Sequence, residues 1–207
     1  PRPLNQLLKR SHIMKRIIYI AFSLLLLGQT HVMAHEWKTD LSHSGILFEI
    51  KHIYSTVRGH FSDFTGEVFF DPDNPEKSQF DFVVKVDSIN TNNGKRDNHL
   101  RSDDFFAASM YPVITFKSSR VSHAGGNKYV LEGKMTIRDV TKDMVLEFIY
   151  WGQKENPFKK NEMVAGFDTR FNINRLDFNV GDGKFHKMGV VGKDVDILIS
   201  LEVVRKK

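Results

Sequence analysis

From residue 46 onward, apolar residues alternate with polar ones along much of the chain. A period of two residues is the pattern of a β-strand that buries one face. Five segments show it clearly, at 46–52, 80–87, 129–138, 144–151 and 194–203. Three further segments, near 65–71, 112–121 and 163–174, complete a set of about eight predicted strands. The alternation predicts antiparallel strands with one face in a core and the other toward solvent.

Turn-forming sequences separate the predicted strands. They are rich in Asp, Asn, Pro and Gly, and they lie at 71–75, 125–127, 154–157 and 181–183. Eight strands joined by short turns predict an all-β domain that is either an up-and-down barrel or a sandwich. We find no internal repeat, low-complexity tract or linker, so residues 35–207 are predicted to form one domain.

Residues 92–110 break the alternation, between the third and the fourth predicted strand. The polar run Lys95–Arg101 predicts a short helix, and Tyr111-Pro112 ends the helical stretch. We expect this helical excursion to lie over one end of a barrel.

The first residues have the composition of a targeting segment. Met14-Lys15-Arg16 precedes an uncharged apolar run at 17–27, and Val32-Met33-Ala34 supplies small residues for cleavage. The apolar run is shorter than the roughly 20 residues that a membrane-spanning helix needs. We therefore predict a cleaved signal peptide at 14–34, upstream translation before the true start at 1–13, and export of the protein.

The chain's net charge of +5 comes from this leader. Five basic and no acidic residues precede His35, which leaves 25 of each in the remainder. A balanced domain does not predict nucleic-acid binding, which requires a basic face. The chain has no cysteine, which excludes disulfides, thiol catalysis, cysteine metal sites and a cysteine-linked lipid anchor.

The sequence predicts neither catalysis nor a metal site. Gly-x-Ser-x-Gly and His-Glu-x-x-His motifs and phosphate-binding loops are absent. The seven histidines after residue 34 do not fall at compact metal-ligand spacings. Ser44 follows His43, but the sequence around them suggests no acid or oxyanion partner.

Several motifs, in order over about residues 36–204, resemble the YceI-like family of lipocalin-fold, polyisoprenoid-binding proteins. They are 43–52 (HSGILFEIKH), 55–61 (STVRGHF), 88–91 (SINT), 96–106 (RDNHLRSDDFF), 111–116 (YPVITF), 133–137 (GKMTI) and 174–178 (NRLDF). Two positions depart from the family pattern. Asp139 replaces the usual Gly of a turn, where we expect it to tolerate a left-handed conformation, and Met135 replaces a Leu.

The resemblance implies an eight-stranded antiparallel lipocalin-like barrel that holds a polyisoprenoid or isoprenoid-quinone-like lipid in the periplasm. It also implies a possible partnership with a membrane b-type cytochrome. No cofactor other than the bound lipid is expected. An eight-stranded barrel is wide enough to be filled by side chains or to hold one slim ligand.

We predict that the ligand contacts inward apolar residues and a few polar ones. The apolar set is Phe48, Ile50, Phe82, Val84, Phe105, Phe106, Phe116, Met135, Ile137 and Phe148. For each of these, the alternative is a purely structural place in the core. The polar set is His52, Arg96 and His99, of which the last two are positioned to bond a lipid head group.

For Arg96 and His99, the alternative is a structural network with Asp97 or Asp104, and Arg175 is predicted to be structural. The function predicted is that of a non-enzymatic lipid carrier. Two alternatives stay open: a stress-protective or interaction module with a packed barrel, and a carrier of fatty-acid-like ligands. Outward apolar residues such as Trp151 and Leu198 are compatible with a homodimer.

Overall fold

The computed structural model describes residues 35–207, so the predicted signal peptide at 14–34 and the residues before it lie outside the described part. Within that part, the chain forms eleven strands. They are β1 (His35–Thr39), β2 (Gly45–His52), β3 (Ser55–Phe61), β4 (Phe64–Phe70), β5 (Gln79–Lys85), β6 (Ile89–Asn90), β7 (Val113–Gly125), β8 (Lys128–Ile137), β9 (Val140–Glu155), β10 (Glu162–Asn174) and β11 (Val191–Lys206).

Six of these strands form three pairs, and the two members of a pair together make one strand of a barrel. The eleven strands therefore build a closed, eight-stranded antiparallel barrel. β1 and β2 pair in succession along β11, as Thr39 with Val203 and then Gly45 with Ser200. β3 and β4 follow one another in the same way, and so do β5 and β6. The pairing of β1 and β2 with β11 closes the ring. The fold is therefore the predicted barrel rather than a sandwich.

Alternation did not predict β1, β3 and β6 as separate strands, because each is one part of an interrupted barrel strand. Between β1 and β2 the chain bulges outward, and the backbone N–H of Asp40 donates to the carbonyl of Glu202 at 2.9 Å. Between β5 and β6, residues 86–88 form a single 3₁₀ turn. Such irregularities bend a strand and suit the curvature of a small barrel.

The two ends of the barrel differ in content. We call one the aromatic end because it holds a cluster of rings, which are Phe70, Phe80, Tyr129, Phe148, Tyr150 and Phe167. The other is the helical end, with helix α1 (Gly94–Arg101), helix α2 (Lys184–Lys187) and the connecting residues 175–190. Among the described helices, none is long and apolar enough to cross a membrane.

Helix α1 confirms the predicted helical excursion between the third and fourth barrel strands. The Asn93 side chain caps it by accepting from the backbone N–H of Arg96 at 3.0 Å. Arg101 fastens it to the barrel, since its Nε and Nη2 donate to the carbonyls of Asp87 and Ile89. Helix α2 has only four residues, and no sequence pattern announced it.

In the turn between β8 and β9, Asp139 does not adopt the left-handed conformation that we expected. The left-handed residue is Arg138, with φ of 55°, and not Asp139. The Arg138 guanidinium bonds the carbonyls of Phe105 and Asn179 and lies 5.4 Å from the ring centroid of Tyr111. These contacts hold Arg138 in a conformation that costs an ordinary residue about 1–2 kcal/mol, and they fasten the turn to the helical end.

Candidate functional site

The barrel encloses two abutting cavities. The first, of about 270 Å³, lies beneath the helices of the helical end. The second, of about 120 Å³, lies deeper and reaches the aromatic cluster through Phe80, Phe148 and Phe167. Five residues line both cavities, so together they follow the barrel axis; these are Ile46, Phe61, Ile114, Ile137 and Ile197.

All thirteen residues predicted to contact a ligand line one cavity or the other. Those on the first are Phe48, Ile50, His52, Arg96, His99, Phe105, Phe106 and Ile137. Those on the second are Phe82, Val84, Phe116, Met135 and Phe148, together with Ile137. The structure brings these side chains together around enclosed space, and their contact with a ligand stays a prediction.

Residues 173–191 supply a wall of the first cavity that the sequence did not predict. Its members are Ile173, Arg175, Val180, Phe185, Val190 and Val191. Phe185 on α2 stacks on Phe105 with ring centroids 5.9 Å apart and planes 10° apart. This stretch is mostly irregular and has no period that could have marked its inward residues. In contrast, Val195 and Ile197 alternate regularly and could have been chosen from the sequence.

Two glycines let phenylalanine rings lie flat against the barrel wall. Gly66 is paired with Phe82 across β4 and β5, and Gly59 with Phe48 across β2 and β3. A Cβ atom at either glycine would overlap the ring of its partner. The missing side chains therefore give each ring a place on the wall, and the space beside it stays open.

His99 lines the first cavity and is partly exposed to solvent. Its Nε2 lies 2.9 Å from Asp104 Oδ2, and its side chain is 45% exposed. Arg96 donates to the side chain and the carbonyl of Thr91 at 2.8 and 2.7 Å. The Thr91 hydroxyl in turn donates to the buried carboxylate of Asp97 at 2.5 Å. Arg96 and His99 thus line the cavity. They also take part in a structural network with Asp97 and Asp104, which was the alternative to a role in ligand binding.

Arg175 is the most enclosed polar side chain of the first cavity. It is 5% exposed, and its Nε and Nη1 donate to the carbonyls of Gly192 and Val180 at 2.8 and 2.6 Å. Its Nη2 is buried and has no hydrogen-bond partner among the described residues. Burial lowers the pKa of Arg175, and the charge of Asp182 opposes that shift. The structural role that we predicted for Arg175 explains its two hydrogen bonds to carbonyls, but it does not explain why Nη2 is buried without a partner among the described residues.

An ionisable cluster lies on the barrel wall at the bulge between β1 and β2. His43 Nδ1 lies 3.0 Å from Asp40 Oδ2 and 3.6 Å from Glu202 Oε1, a group of ligand atoms compact enough for a cation. The hydrogen bond to Asp40 raises the pKa of His43, and the same bond lowers the pKa of Asp40. The sequence did not suggest this acid partner, because Glu202 is distant along the chain and Asp40 lies in a bulge.

Ser44 is not directed at His43 in this arrangement. Its hydroxyl donates to the carbonyl of Glu202 at 3.1 Å and accepts from the backbone N–H of Glu202 at 3.0 Å. The hydroxyl thus closes the bulge in the barrel wall. His43 has an acid beside it, contrary to our expectation, but the pair does not extend to a serine nucleophile.

Comparison with known proteins agrees with this architecture. Residues 37–203 match the sequence profile of the YceI-like domain. The chain belongs to the YceI-like family. A curated YceI-like relative from Photorhabdus laumondii is 35% identical over 196 residues, which cover 93% of this chain and 98% of the relative.

Solved structures show the same fold. The crystal structure of BcnA from Burkholderia cenocepacia is 28% identical with a TM-score of 0.71, and the match covers 79% of this chain and 98% of BcnA. A polyisoprenoid-binding domain from Saccharophagus degradans, implicated in plant cell wall breakdown, has a TM-score of 0.56. It is only 13% identical, over 83% of this chain and 98% of that domain, so it shows likeness of fold alone.

Proposed function

We propose that this YceI-like protein is a non-enzymatic carrier of a lipid with a polyisoprenoid or isoprenoid-quinone-like structure, which it holds inside the barrel in the periplasm. The observation that carries the proposal is the pair of abutting cavities, whose walls are almost entirely apolar side chains. Two abutting apolar cavities inside a barrel fit a slim chain better than they fit a compact polar substrate.

The free energies are sufficient for such a ligand. Each buried methylene contributes about 0.8 kcal/mol, and association costs about 4–15 kcal/mol. Between about 5 and 20 buried chain carbons, or about one to four isoprene units, therefore offset the cost, and each further buried carbon adds net affinity. Affinity then comes chiefly from the tail, with the polar residues near the helical end left to orient the head.

Two observations favour this function over a packed interaction module. A module that works only through its outer surface has no need of internal space, whereas this barrel has two cavities. A domain of the same fold, from Saccharophagus degradans, is described as polyisoprenoid-binding. An apolar wall also accepts a straight chain, so a fatty-acid-like ligand is an outcome that the experiment must distinguish.

The proposal extends to location and partners. The predicted signal peptide at 14–34 would deliver the protein to the periplasm, where a carrier meets membrane lipids and a membrane b-type cytochrome. Trp151 and Leu198 are 62% and 40% exposed on the outer wall, which supports a homodimer as a further proposal.

Mass spectrometry of an organic extract of natively purified protein tests the ligand. We expect one lipid with an isoprenoid tail at close to one molecule per barrel. The matched control is the same extract from a Phe116→Trp variant, whose larger side chain fills part of the second cavity. Recovery of a straight-chain lipid would change the proposed ligand from an isoprenoid to a fatty-acid-like lipid. Recovery of no stoichiometric lipid from the native protein would overturn the carrier function.

A further inference from the structure

The ionisable side chains that line the first cavity are all basic. Four basic side chains line it, and no aspartate or glutamate of the described residues does; the four are His52, Arg96, His99 and Arg175. Apolar surface makes up the rest of the wall. In apolar surroundings, the charges of the two arginines act more strongly than in water on any polar group that enters.

Two of these basic groups have acidic neighbours outside the cavity. His99 contacts Asp104 directly, and Arg96 is joined through Thr91 to the buried carboxylate of Asp97. The charge of Arg96 is therefore partly balanced within the protein, and His99 has an acid beside it.

Arg175 is less well balanced, because the charge of Asp182 acts on it but forms no salt bridge with it. Among the residues that the structure describes, no carboxylate lies within salt-bridge distance of its guanidinium. Its two hydrogen bonds go to neutral carbonyls, and its third nitrogen has no partner. The ring of Phe105, 5.7 Å from the guanidinium carbon, offers only a weak attraction. A buried cation without a counter-charge is costly, and natural proteins rarely keep one without a partner.

We propose that the lipid carries an acidic head, a phosphate or a carboxylate, and that Arg175 is its binding partner at the helical end of the barrel. This rests on the proposed lipid-carrier function and narrows it from isoprenoid lipids in general to acidic ones. Bound carboxylates and phosphates form the strongest hydrogen bonds with arginine. The tail then runs past Ile137 and Ile197, which line both cavities, toward the aromatic cluster.

The test compares ligands that share one tail. Farnesol, farnesoic acid and farnesyl phosphate are titrated into delipidated protein, with affinities measured by native mass spectrometry and calorimetry. We expect at least one acidic probe to bind about tenfold or more tightly than the alcohol. Which acid binds better distinguishes a carboxylate from a phosphate head. Arg175→Gln should remove the difference in affinity between the preferred acid and farnesol, and Arg175→Lys should keep part of the preference.

The matched control is Arg170→Gln, the same substitution at an exposed position of β10, which ends just before Arg175, and it should keep the full preference. Because Arg175 also holds residues 180 and 192, a measurement on the native protein accompanies the variants. Nuclear Overhauser contacts from the head-end protons of the bound acid should reach the rings of Phe105 and Phe185.

Each result decides the matter. Equal affinities for all three probes, or contacts of the head with Phe80 and Phe148 instead, overturn the acidic-head proposal and leave the carrier function standing. An unchanged acid preference in Arg175→Gln also overturns it. If none of the probes binds, the carrier function fails together with the proposal.

Discussion

The two ends of this barrel are built from the same kinds of residue, yet one is packed and the other is hollow. At the aromatic end, Phe70 is 2% exposed and contacts five other rings, the nearest being Tyr150 with centroids 4.8 Å apart. At the helical end, Phe48 lies on Gly59, and the space in front of it is part of the first cavity. The content of phenylalanine therefore does not decide whether a barrel is full. Whether the space around a ring is filled depends on the side chains that lie opposite the ring.

The difference suits a carrier. The interlocked rings close one end and give the protein stability without a ligand, because each buried aromatic side chain contributes both area and ring contacts. The helical end has ring contacts too, such as that of Phe105 with Phe185, but these rings border the first cavity and offer a surface to a ligand. The aromatic end thus contributes mainly to stability, with Phe80, Phe148 and Phe167 also on the wall of the second cavity, and the helical end contributes mainly to binding. The following predictions test that division.

The largest effect is expected for Phe70→Ala. Loss of a ring held on all sides should lower the free energy of unfolding by about 3–5 kcal/mol. Phe48→Ala should lower it by clearly less in the ligand-free protein, because one side of that ring already borders empty space. Urea denaturation of both variants measures the contrast. Equal losses would mean that the helical end is packed in solution, which would contradict the division.

A smaller effect on stability, but a clear one on binding, is expected for Gly66→Ala. The added methyl group overlaps Phe82 and should turn its ring into the second cavity. Overpacking of this kind lowers the free energy of unfolding by about 1–3 kcal/mol. Because the turned ring takes up space in the second cavity, the affinity for farnesol should fall about tenfold. Gly166→Ala is the control, since a Cβ atom there meets Trp151 at an ordinary 3.6 Å. A loss of affinity in the control as large as in Gly66→Ala would show that Phe82 is not the cause.

The next smaller effect is expected on the stability of the protein at alkaline pH, and it comes from Tyr150 at the aromatic end. Burial raises the pKa of Tyr150 to about 12, above its usual 10.0. Its neutral form therefore stabilises the fold fully below pH 10.0, and this contribution is lost as pH rises toward 12. Because the side chain is only partly enclosed, we expect about 1 kcal/mol.

Tyr150→Phe should reduce the alkaline loss of stability, as measured by denaturation at several pH values between 9 and about 11.5. Tyr54, which is fully exposed near the helical end, provides the matched control as Tyr54→Phe. The same alkaline behaviour in both variants would show that the aromatic end does not shield Tyr150 from water.

The smallest effect is expected for the His43–Asp40 pair on the outside of the wall. The pKa of His43 is raised above 6.5, so its contribution is complete below pH 6.5 and is lost as pH rises through the raised value. The pKa of Asp40 is lowered below 3.8, so its contribution is present above pH 3.8 and is lost as pH falls through the lowered value.

His43→Gln should thus destabilise the protein slightly at pH 5 and have less effect above neutrality, as followed by thermal unfolding. His123→Gln, on another exposed histidine, serves as the control. A profile that does not change with pH would mean that the pair is not formed in solution.

Much of the cavity wall could be predicted from the sequence because of the strand period. Every second residue of a strand in a closed barrel must face the interior, so alternation alone placed Phe82, Met135 and Phe148 inside. The helix between the third and fourth barrel strands was predicted in the same way, from a polar run that breaks the alternation. These are local properties, because the backbone geometry of one segment determines which side chains share a face.

What only the tertiary structure decided depends on segments distant in sequence. Phe185 meets Phe105, and Gly66 meets Phe82, through sheet register and chain path that no single segment encodes. Arg175 was expected to be structural, and only the fold shows that its charge lies at the first cavity without a carboxylate partner. Periodicity determined which side chains point inward, whereas the presence of empty space between them depends on the volumes that opposite walls bring together.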